Sequence, residues 1–389
     1  MLPAYMIETL RHHRHRFVQA LILLLPTYLL RFSIGPLPLN GLDITIMVVF
    51  VLLFLTHDHK RELDPVWAVV MVALIGIGGL AAATSTDQLA ASGLYKSLII
   101  LPIIAGISVW MAKPKLQHVI EAMAALSIAI SGYAILQYFT GWGIPTPWND
   151  QAIDYRVTSI FDFPNAVGLL LAPVTAMLMA YRIKVEPTKL TTVAVVMNIS
   201  AIVMARADGG LVAVLAALVI TLLFTNQRKL AIGMIVFGVL AGILIDPVRE
   251  ILLFQDTSGE VRLALWQGTW SLLQDNPLFG SGLAGFPELY GQYKLDRHVE
   301  LLLYPHNILL NFWTQLGILG AIWLVFVLTR LARIFLQSRN AASIVLLAYV
   351  VAIVVYGLVD VPYFKNDLAT LFWIVIGLSM TLNPVARKQ

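Results

Sequence analysis

The sequence contains no cysteine and few charged residues. Lys, Arg, Asp and Glu make up 12% of its 389 residues, about half the fraction found in soluble proteins. The absence of cysteine excludes disulfides, a thiol nucleophile and a cysteine-ligated metal. The scarcity of charge excludes a soluble globular enzyme, a disordered chain and a protein that binds nucleic acid in water, so we expect no nucleic-acid partner.

Several catalytic signatures are also absent. There is no phosphate-binding loop and no Rossmann glycine pattern, which argues against a nucleotide-dependent enzyme. There is no Asp-x-Asp pair of the kind that holds a divalent metal in sugar-nucleotide transferases, and the single Glu-x-Asp, at 62–64, falls on the predicted cytoplasmic side. Neither Gly-x-Ser-x-Gly nor His-Glu-x-x-His occurs. We therefore expect no metal and no cofactor.

Apolar residues dominate what is present, at 59% of the chain. Apolar runs separated by charged or turn residues predict twelve transmembrane helices. These are 17–34, 42–56, 66–83, 93–112, 117–140, 165–182, 190–205, 209–225, 229–245, 316–336, 341–359 and 366–382. The expected fold is all-α: a polytopic membrane protein with about 12 transmembrane helices, forming a single integral membrane domain over 1–389.

The positions of the basic residues predict the orientation of these spans. Most of the 26 Lys and Arg residues fall before the first span or in every second connection after it. The positive-inside rule assigns those connections, and both termini, to the cytoplasm. The opposite side then carries two long connections, 141–164 and 246–315. The second is a large external loop, which predicts chemistry at the outer face.

Nine basic residues remain on the outer side, and six of them are arginine. The guanidinium group binds phosphate through two parallel hydrogen bonds and does not lose its proton. The nine are Arg31, Lys96, Arg156, Arg206, Arg249, Arg262, Lys294, Arg297 and Lys365. Of the eight histidines, only His298 and His306 are external. This face is therefore a candidate site for a phosphate-bearing substrate.

Three external residues stand out by position, each with a structural alternative. Arg206 lies in a tight apolar hairpin near the membrane boundary, where it could instead pair with Asp208 or reach lipid phosphate. Arg262 opens an amphipathic stretch that could simply be an interfacial helix. His306 lies between Pro305 and Asn307, which favour a helix start, and is expected on the first helical turn, where a histidine is more often structural.

Four segments together resemble the O-antigen ligase family of membrane glycosyltransferases. Residues 156–166 resemble its Arg-x-Thr…Pro-Asn segment, and 205–207 resemble its Ser-Arg-Gly hairpin with alanine in place of serine and glycine. Residues 262–282 are similar to its Arg…Trp…Pro-Leu-x-Gly-x-Gly loop. Residues 306–320 are similar to its His-Asn…Gly-x-x-Gly signature.

The resemblance implies a GT-C-like enzyme of the bacterial inner membrane with a periplasmic active site. Its donor would be a glycan on undecaprenyl diphosphate, and its acceptor a sugar hydroxyl of lipid A-core. By resemblance, His306 would be the general base, while Arg206, Arg262 and, more weakly, Arg156 would bind the diphosphate. Histidine can accept a hydroxyl proton near neutral pH, and direct attack at the anomeric carbon would invert its configuration. Supporting roles are expected for Asn165, Asn307 and Asp360.

Alternatives remain within and outside this superfamily. An O-antigen polymerase shares the reaction but extends the glycan, and commonly has two substantial outer loops. A protein O-glycosyltransferase is disfavoured because little sequence follows Leu382. A transporter or flippase of the same lipid would need ionisable residues at mid-membrane, where these spans carry almost none.

Overall fold

The structure is a computed structural model that describes residues 4–35, 37–57, 62–150, 155–295 and 302–382. Lys60 and Arg61, in a connection that the sequence assigns to the cytoplasm, and Arg297 and His298, assigned to the outer side, fall outside the described residues. So does Asp154, a candidate partner of Arg156.

The described chain is mostly helical. Its α-helices, in chain order, are α1 Ala4–His12, α2 Arg14–Leu23, α3 Gly41–Thr56, α4 Pro65–Ala83, α5 Gln88–Tyr95, α6 Leu101–Ala112, α7 Leu116–Thr140, α8 Asn165–Lys184, α9 Lys189–Met204, α10 Asp208–Leu223, α11 Arg228–Leu244, α12 Asp246–Leu252, α13 Thr257–Asp275, α14 Phe286–Tyr290, α15 Ile308–Ser338, α16 Ala341–Gly357 and α17 Asn366–Leu382. A π-helical turn, Lys96–Ile100, joins α5 to α6, and a 3₁₀ turn, Leu25–Leu29, follows α2. Two strands, β1 Arg31–Ile34 and β2 Leu37–Asn40, pair antiparallel.

Within the described ranges, five helical segments are long and apolar enough to cross a membrane: α4, the continuous Gln88–Ala112, α7, α8 and α15. A sixth is obtained if α11 is counted with the helices after it, from which it is bent by 99°. Helices α3, α9, α10, α16 and α17 are apolar but only 16 or 17 residues long. The helical membrane character is thus confirmed, while the count of twelve spans stays a prediction.

The prediction of one helical span over 17–34 is wrong, and the all-α class is wrong at the β1–β2 hairpin. Helix α2 ends at Leu23, and the chain continues as the β1–β2 hairpin, with Phe32 opposite Leu39. Pro26 cannot donate the hydrogen bond of a continuing helix. Gly35 adopts φ +59°, which suits a turn between strands. The apolar pattern predicts one helix over 17–34 because a run of apolar residues does not reveal the helix break at Pro26 or the turn at Gly35.

The tenth predicted span, 316–336, begins too late. Helix α15 starts at Ile308, and Gly317 interrupts its regular geometry with φ +71° and ψ −178°. A side chain at Gly317 would collide with the carbonyl oxygen of Leu278. The kink therefore accommodates the loop 277–282, which packs against it.

Helices α8 and α17 form the centre of the bundle, and nearly all of their side chains are buried. Helix α17 packs closely on α6, where a side chain at Gly377 would collide with the carbonyl oxygen of Gly106. Small residues allow such close backbone contact between membrane helices. Helices α8, α10 and α15 all pack against α16.

Candidate active site

The predicted site residues come from five separate parts of the chain, and the structure brings them together. Arg156 and Asn165 lie in the loop before α8 and at its first residue, and Arg206 lies between α9 and α10. His306 lies just before α15, and Asp360 lies between α16 and α17. Contacts between these segments, together with Arg262 on α13, join them into one site.

The centre of the site is a histidine–aspartate pair. His306 Nδ1 lies 3.2 Å from Asp360 Oδ1. The His306 side chain is 18% exposed, whereas Asp360 is fully buried. An ionised carboxylate can only accept hydrogen bonds, so the neutral imidazole donates from Nδ1 and keeps its lone pair on Nε2. This is the arrangement in which histidine acts as a general base.

Asp360 is held in its ionised form. Burial by itself would raise its pKa, but His306 and the backbone N–H of Val361 oppose this, and the pKa is lowered from its ordinary value. The Val361 N–H donates to Oδ1 at 2.8 Å, and Asn165 Nδ2 donates to Oδ2 at 3.3 Å. Asp360 was expected only to support the site, and it is the residue on which most of these hydrogen bonds converge.

Tyr304 is a further residue of the site, in contact with both His306 and Asp360, and the sequence alone does not predict it. Its hydroxyl is hydrogen-bonded to Asp360, and its ring lies 4.4 Å from the His306 ring, centre to centre. Burial, followed by the charge of Asp360, raises the pKa of Tyr304 well above its ordinary value, so the phenol stays a hydrogen-bond donor. Its position two residues before His306 is the only signal in the sequence.

Asn165 extends the pair toward Arg156. While its Nδ2 donates to Asp360, its Oδ1 accepts from Arg156 Nη2 at 2.9 Å. Arg156 also donates to the carbonyl oxygens of Ala205, at 2.9 Å, and Arg206, at 3.2 Å. Arg156 therefore fixes the α9–α10 connection and Asn165 at the same time, a positioning role beyond the predicted diphosphate contact.

The loop that carries Arg156 is organised by a buried amide. Gln137 Oε1 on α7 accepts from the backbone N–H groups of Thr158 and Ser159, and its Nε2 donates to the Ser159 carbonyl. Buried backbone groups need partners, and Gln137 supplies them within a loop of irregular structure. Gln137 therefore fixes the backbone at Thr158 and Ser159 relative to α7.

Arginines line the open part of the site. A cavity of about 450 Å³, here called the arginine cavity, is lined by Arg156, Arg206 and Arg262 together with Asn165. Asp208 also lines this cavity and interacts electrostatically with all three arginines, not with Arg206 alone. Since Asn165 bonds Asp360, the cavity wall is connected to His306 by two hydrogen bonds.

Helix α13 brings Arg262 to this cavity. Its Leu265 and Leu272 are buried in a small separate core with Phe286 on α14, so the amphipathic stretch packs against protein and is more than an interfacial helix. Arg262 Nε donates to the Val359 carbonyl at 3.0 Å, one residue before Asp360. One turn on from Arg262, Trp266 Nε1 donates to the Pro305 carbonyl at 2.9 Å, one residue before His306. One helix thus touches both segments that carry the pair.

The glycine loop 277–282 supports the start of α15. Trp313 Nε1 donates to the Pro277 carbonyl at 2.7 Å, and the Ser281 N–H donates to the Thr314 carbonyl at 2.7 Å. Gly280 has φ +63°, and a side chain there would meet the Thr314 backbone. This segment of the family resemblance therefore acts by packing, not by contact with the arginine cavity.

His306 and Arg206 share an unusual backbone. Both have left-handed φ, 47° for His306 and 49° for Arg206, which residues with side chains adopt at some cost. His306 was expected on the first turn of the helix, and this is wrong. Asn307 is the N-cap, accepting from Leu309 and Leu310, and its Nδ2 donates to the Leu358 carbonyl. His306 precedes the cap, which turns its side chain toward Asp360.

Metal ligands do not cluster in the described ranges: no group of three or more His, Asp and Glu residues there could hold an ion. The charged residues that line the arginine cavity are its three arginines and Asp208 and Asp256.

One known protein family matches part of this chain. Residues 193–325 match the sequence model of a family described as O-antigen ligase. The matched range contains Arg206, Arg262 and His306, while Asp360 and the loop with Arg156 lie outside it. A search of curated proteins found no match. The family whose model matches these residues is the one that the motifs indicate.

Proposed function

We propose that this chain, a member of the O-antigen ligase family by its match over 193–325, transfers a glycan from undecaprenyl diphosphate to a sugar hydroxyl of lipid A-core. The reaction would take place at the periplasmic face of the bacterial inner membrane. The observation that carries the proposal is the His306–Asp360 pair, connected through Asn165 to a cavity lined by three arginines.

The chemistry follows from this geometry. His306 Nε2 takes the proton of the acceptor hydroxyl as its oxygen attacks the anomeric carbon of the donor. The new C–O bond forms as the bond from that carbon to the diphosphate oxygen breaks, which inverts the anomeric centre. Arg206 and Arg262 stabilise the negative charge that the leaving diphosphate gains. The ionised Asp360 stabilises the imidazolium formed in the same step.

The test is transfer by purified protein in detergent or liposomes. The donor is a lipid-linked glycan, the acceptor is lipid A-core, and no nucleotide is added. Glycan attached to lipid A-core supports the proposal. Extension of the lipid-linked glycan in the absence of lipid A-core would identify a polymerase instead, and movement of intact donor across the liposome without transfer would identify a transporter.

A further inference from the structure

A second cavity lies at the hairpin that replaces the first predicted span. It measures about 640 Å³ and is bounded by β1, β2, α5 and the first residue of α17. Its size is typical of a small-molecule site. We call it the hairpin cavity. By chain order it opens on the same side as the arginine cavity, because the β1–β2 hairpin and the α16–α17 connection both fall on the predicted outer side.

The hairpin is anchored by a largely buried ion pair. Lys96 Nζ lies 2.6 Å from Asp43 Oδ2 and also donates to the Pro38 carbonyl of β2. The same Asp43 carboxylate forms a capping box with Asn40 at the start of α3. Lys96 opens the π-helical turn Lys96–Ile100, and such turns are frequent at functional sites. The wall of the hairpin cavity is therefore held in place by an ion pair and by hydrogen bonds.

The chemistry of the lining points to a hydroxyl-rich ligand. Arg31, Ser33, Asp87 and Asn366 offer both donors and acceptors. Phe32, on the same strand, exposes 43% of its surface and can cover the C–H face of a sugar ring. Asp43 neutralises Lys96 directly, and Asp87 matches Arg31 in number, so this lining with its anchor carries no net charge. The arginine cavity keeps a net positive charge even when Asp208 and Asp256 are counted against its three arginines. A neutral saccharide fits this lining better than a free phosphate.

The two cavities are linked by one short loop. The segment from Asp360 to Asn366 connects the partner of His306 to the wall of the hairpin cavity. Lys365 in this loop places Nζ 3.7 Å from the Phe163 ring centre, next to the segment that ends in Asn165. A saccharide held at Asn366 would therefore lie at the other end of this short loop from Asp360, the partner of His306.

We infer that the hairpin cavity binds the core saccharide of the acceptor, with Arg31, Asp87 and Asn366 holding its hydroxyls and Phe32 packing on a sugar ring. This inference rests on the proposed function, since it assigns the acceptor to one place in the same site. It divides the substrates between two cavities, the donor diphosphate in the arginine cavity and the acceptor sugars in the hairpin cavity.

A binding experiment tests this without requiring transfer. The chain has no cysteine, so Ser33→Cys can carry a single environment-sensitive fluorophore, and Ser271→Cys on the exposed face of α13 is the matched control. Each labelled protein is titrated with lipid A-core, with lipid A lacking core sugars, and with the lipid-linked donor. We expect a saturable change for the Ser33 label with lipid A-core only, and none for the Ser271 label.

A response equal for lipid A and lipid A-core, a response to the donor alone, or no response at all would overturn the inference. A kinetic arm then uses Phe32→Ala and Arg31→Ala, for which the acceptor KM should rise about tenfold with the donor KM unchanged. Arg249→Ala, an arginine paired with Asp246 outside both cavities, should leave both constants unchanged. If the protein labelled at Ser33→Cys shows the fluorescence response but the wild-type protein shows no transfer, the proposed function fails and the saccharide site stands.

Discussion

Arg156 Nη2 donates a 2.9 Å hydrogen bond to Oδ1 of Asn165, and the other end of that amide donates to Asp360. The arginine cavity and the His306–Asp360 pair are therefore parts of one hydrogen-bonded unit. The order of this connection determines which substitutions should alter the chemical step and which should alter donor binding.

Asn165→Ala should lower kcat about tenfold while leaving the donor KM within twofold, because it removes one hydrogen bond to Asp360 without removing an arginine. The measurement is steady-state transfer at varied donor concentration. Asn226→Ala, in the exposed turn between α10 and α11, is the matched control and should be silent. A change in the donor KM alone would show that Asn165 binds donor and does not position Asp360.

Arg206→Ala and Arg262→Ala should each weaken donor use tenfold to a hundredfold, the effect of losing a charge-assisted contact of about 1.5–3 kcal/mol. Lysine should restore activity only in part, since it is a point charge without the planar fork. The comparison is kcat/KM for the donor, with Arg249→Ala as control. Full activity of both lysine variants would contradict bidentate binding of the diphosphate.

Transfer should need neither metal nor nucleotide, because the lipid diphosphate is already an activated leaving group and the guanidinium groups carry fixed positive charge. The assay is run in EDTA without nucleotide. Loss of activity that magnesium or manganese restores would refute this prediction.

Gly317→Ala should destabilise the protein by more than about 1 kcal/mol, because the residue has positive φ and its new methyl group would collide with the Leu278 carbonyl. Thermal unfolding in detergent measures the effect. Gly238→Ala on α11 is the control, since open space surrounds that position. It should be neutral or slightly stabilising. Equal changes in stability for Gly317→Ala and Gly238→Ala would contradict the packing of the glycine loop against α15.

The sequence predicts this fold well where a helix is apolar and has clear end signals. Helix α17 begins and ends where the pattern places it, at 366 and 382. The prediction fails at 17–34, because the pairing of β1 with β2 depends on tertiary anchoring by Lys96, which comes from a distant segment. The hydropathy of a segment indicates whether it prefers water or lipid, but it does not show whether the backbone forms helical or strand hydrogen bonds.

The candidate site was predictable by residue type but not by arrangement. His306, Arg206 and Arg262 could be chosen because a catalytic or phosphate-binding role requires those side chains on the outer face. Tyr304 could not, since its contact with Asp360 depends on how two connections fold together. The left-handed backbone of His306, which directs the ring, is likewise imposed by its surroundings and is not encoded by a glycine.

Asp360→Asn should reduce kcat about a hundredfold to ten-thousandfold with little effect on donor binding. An asparagine amide can donate to Nδ1, which would move the imidazole proton to Nε2 and remove the base. The lowered pKa of Asp360 means that the wild-type carboxylate stays ionised to a lower pH than an ordinary carboxyl group. Protonation of Asp360 should therefore cause no loss of wild-type activity near the ordinary carboxyl pKa. A kcat of Asp360→Asn close to that of wild type would contradict the assignment.

The most direct test of the account is transfer by purified His306→Ala measured beside donor binding, with His298→Ala as the control. If His306 Nε2 is the general base, His306→Ala should abolish transfer yet bind the lipid-linked donor with near wild-type affinity, and His298→Ala should transfer normally. Transfer by His306→Ala at near wild-type rate would contradict the account, since catalysis would then rest on the arginines and on acceptor positioning alone.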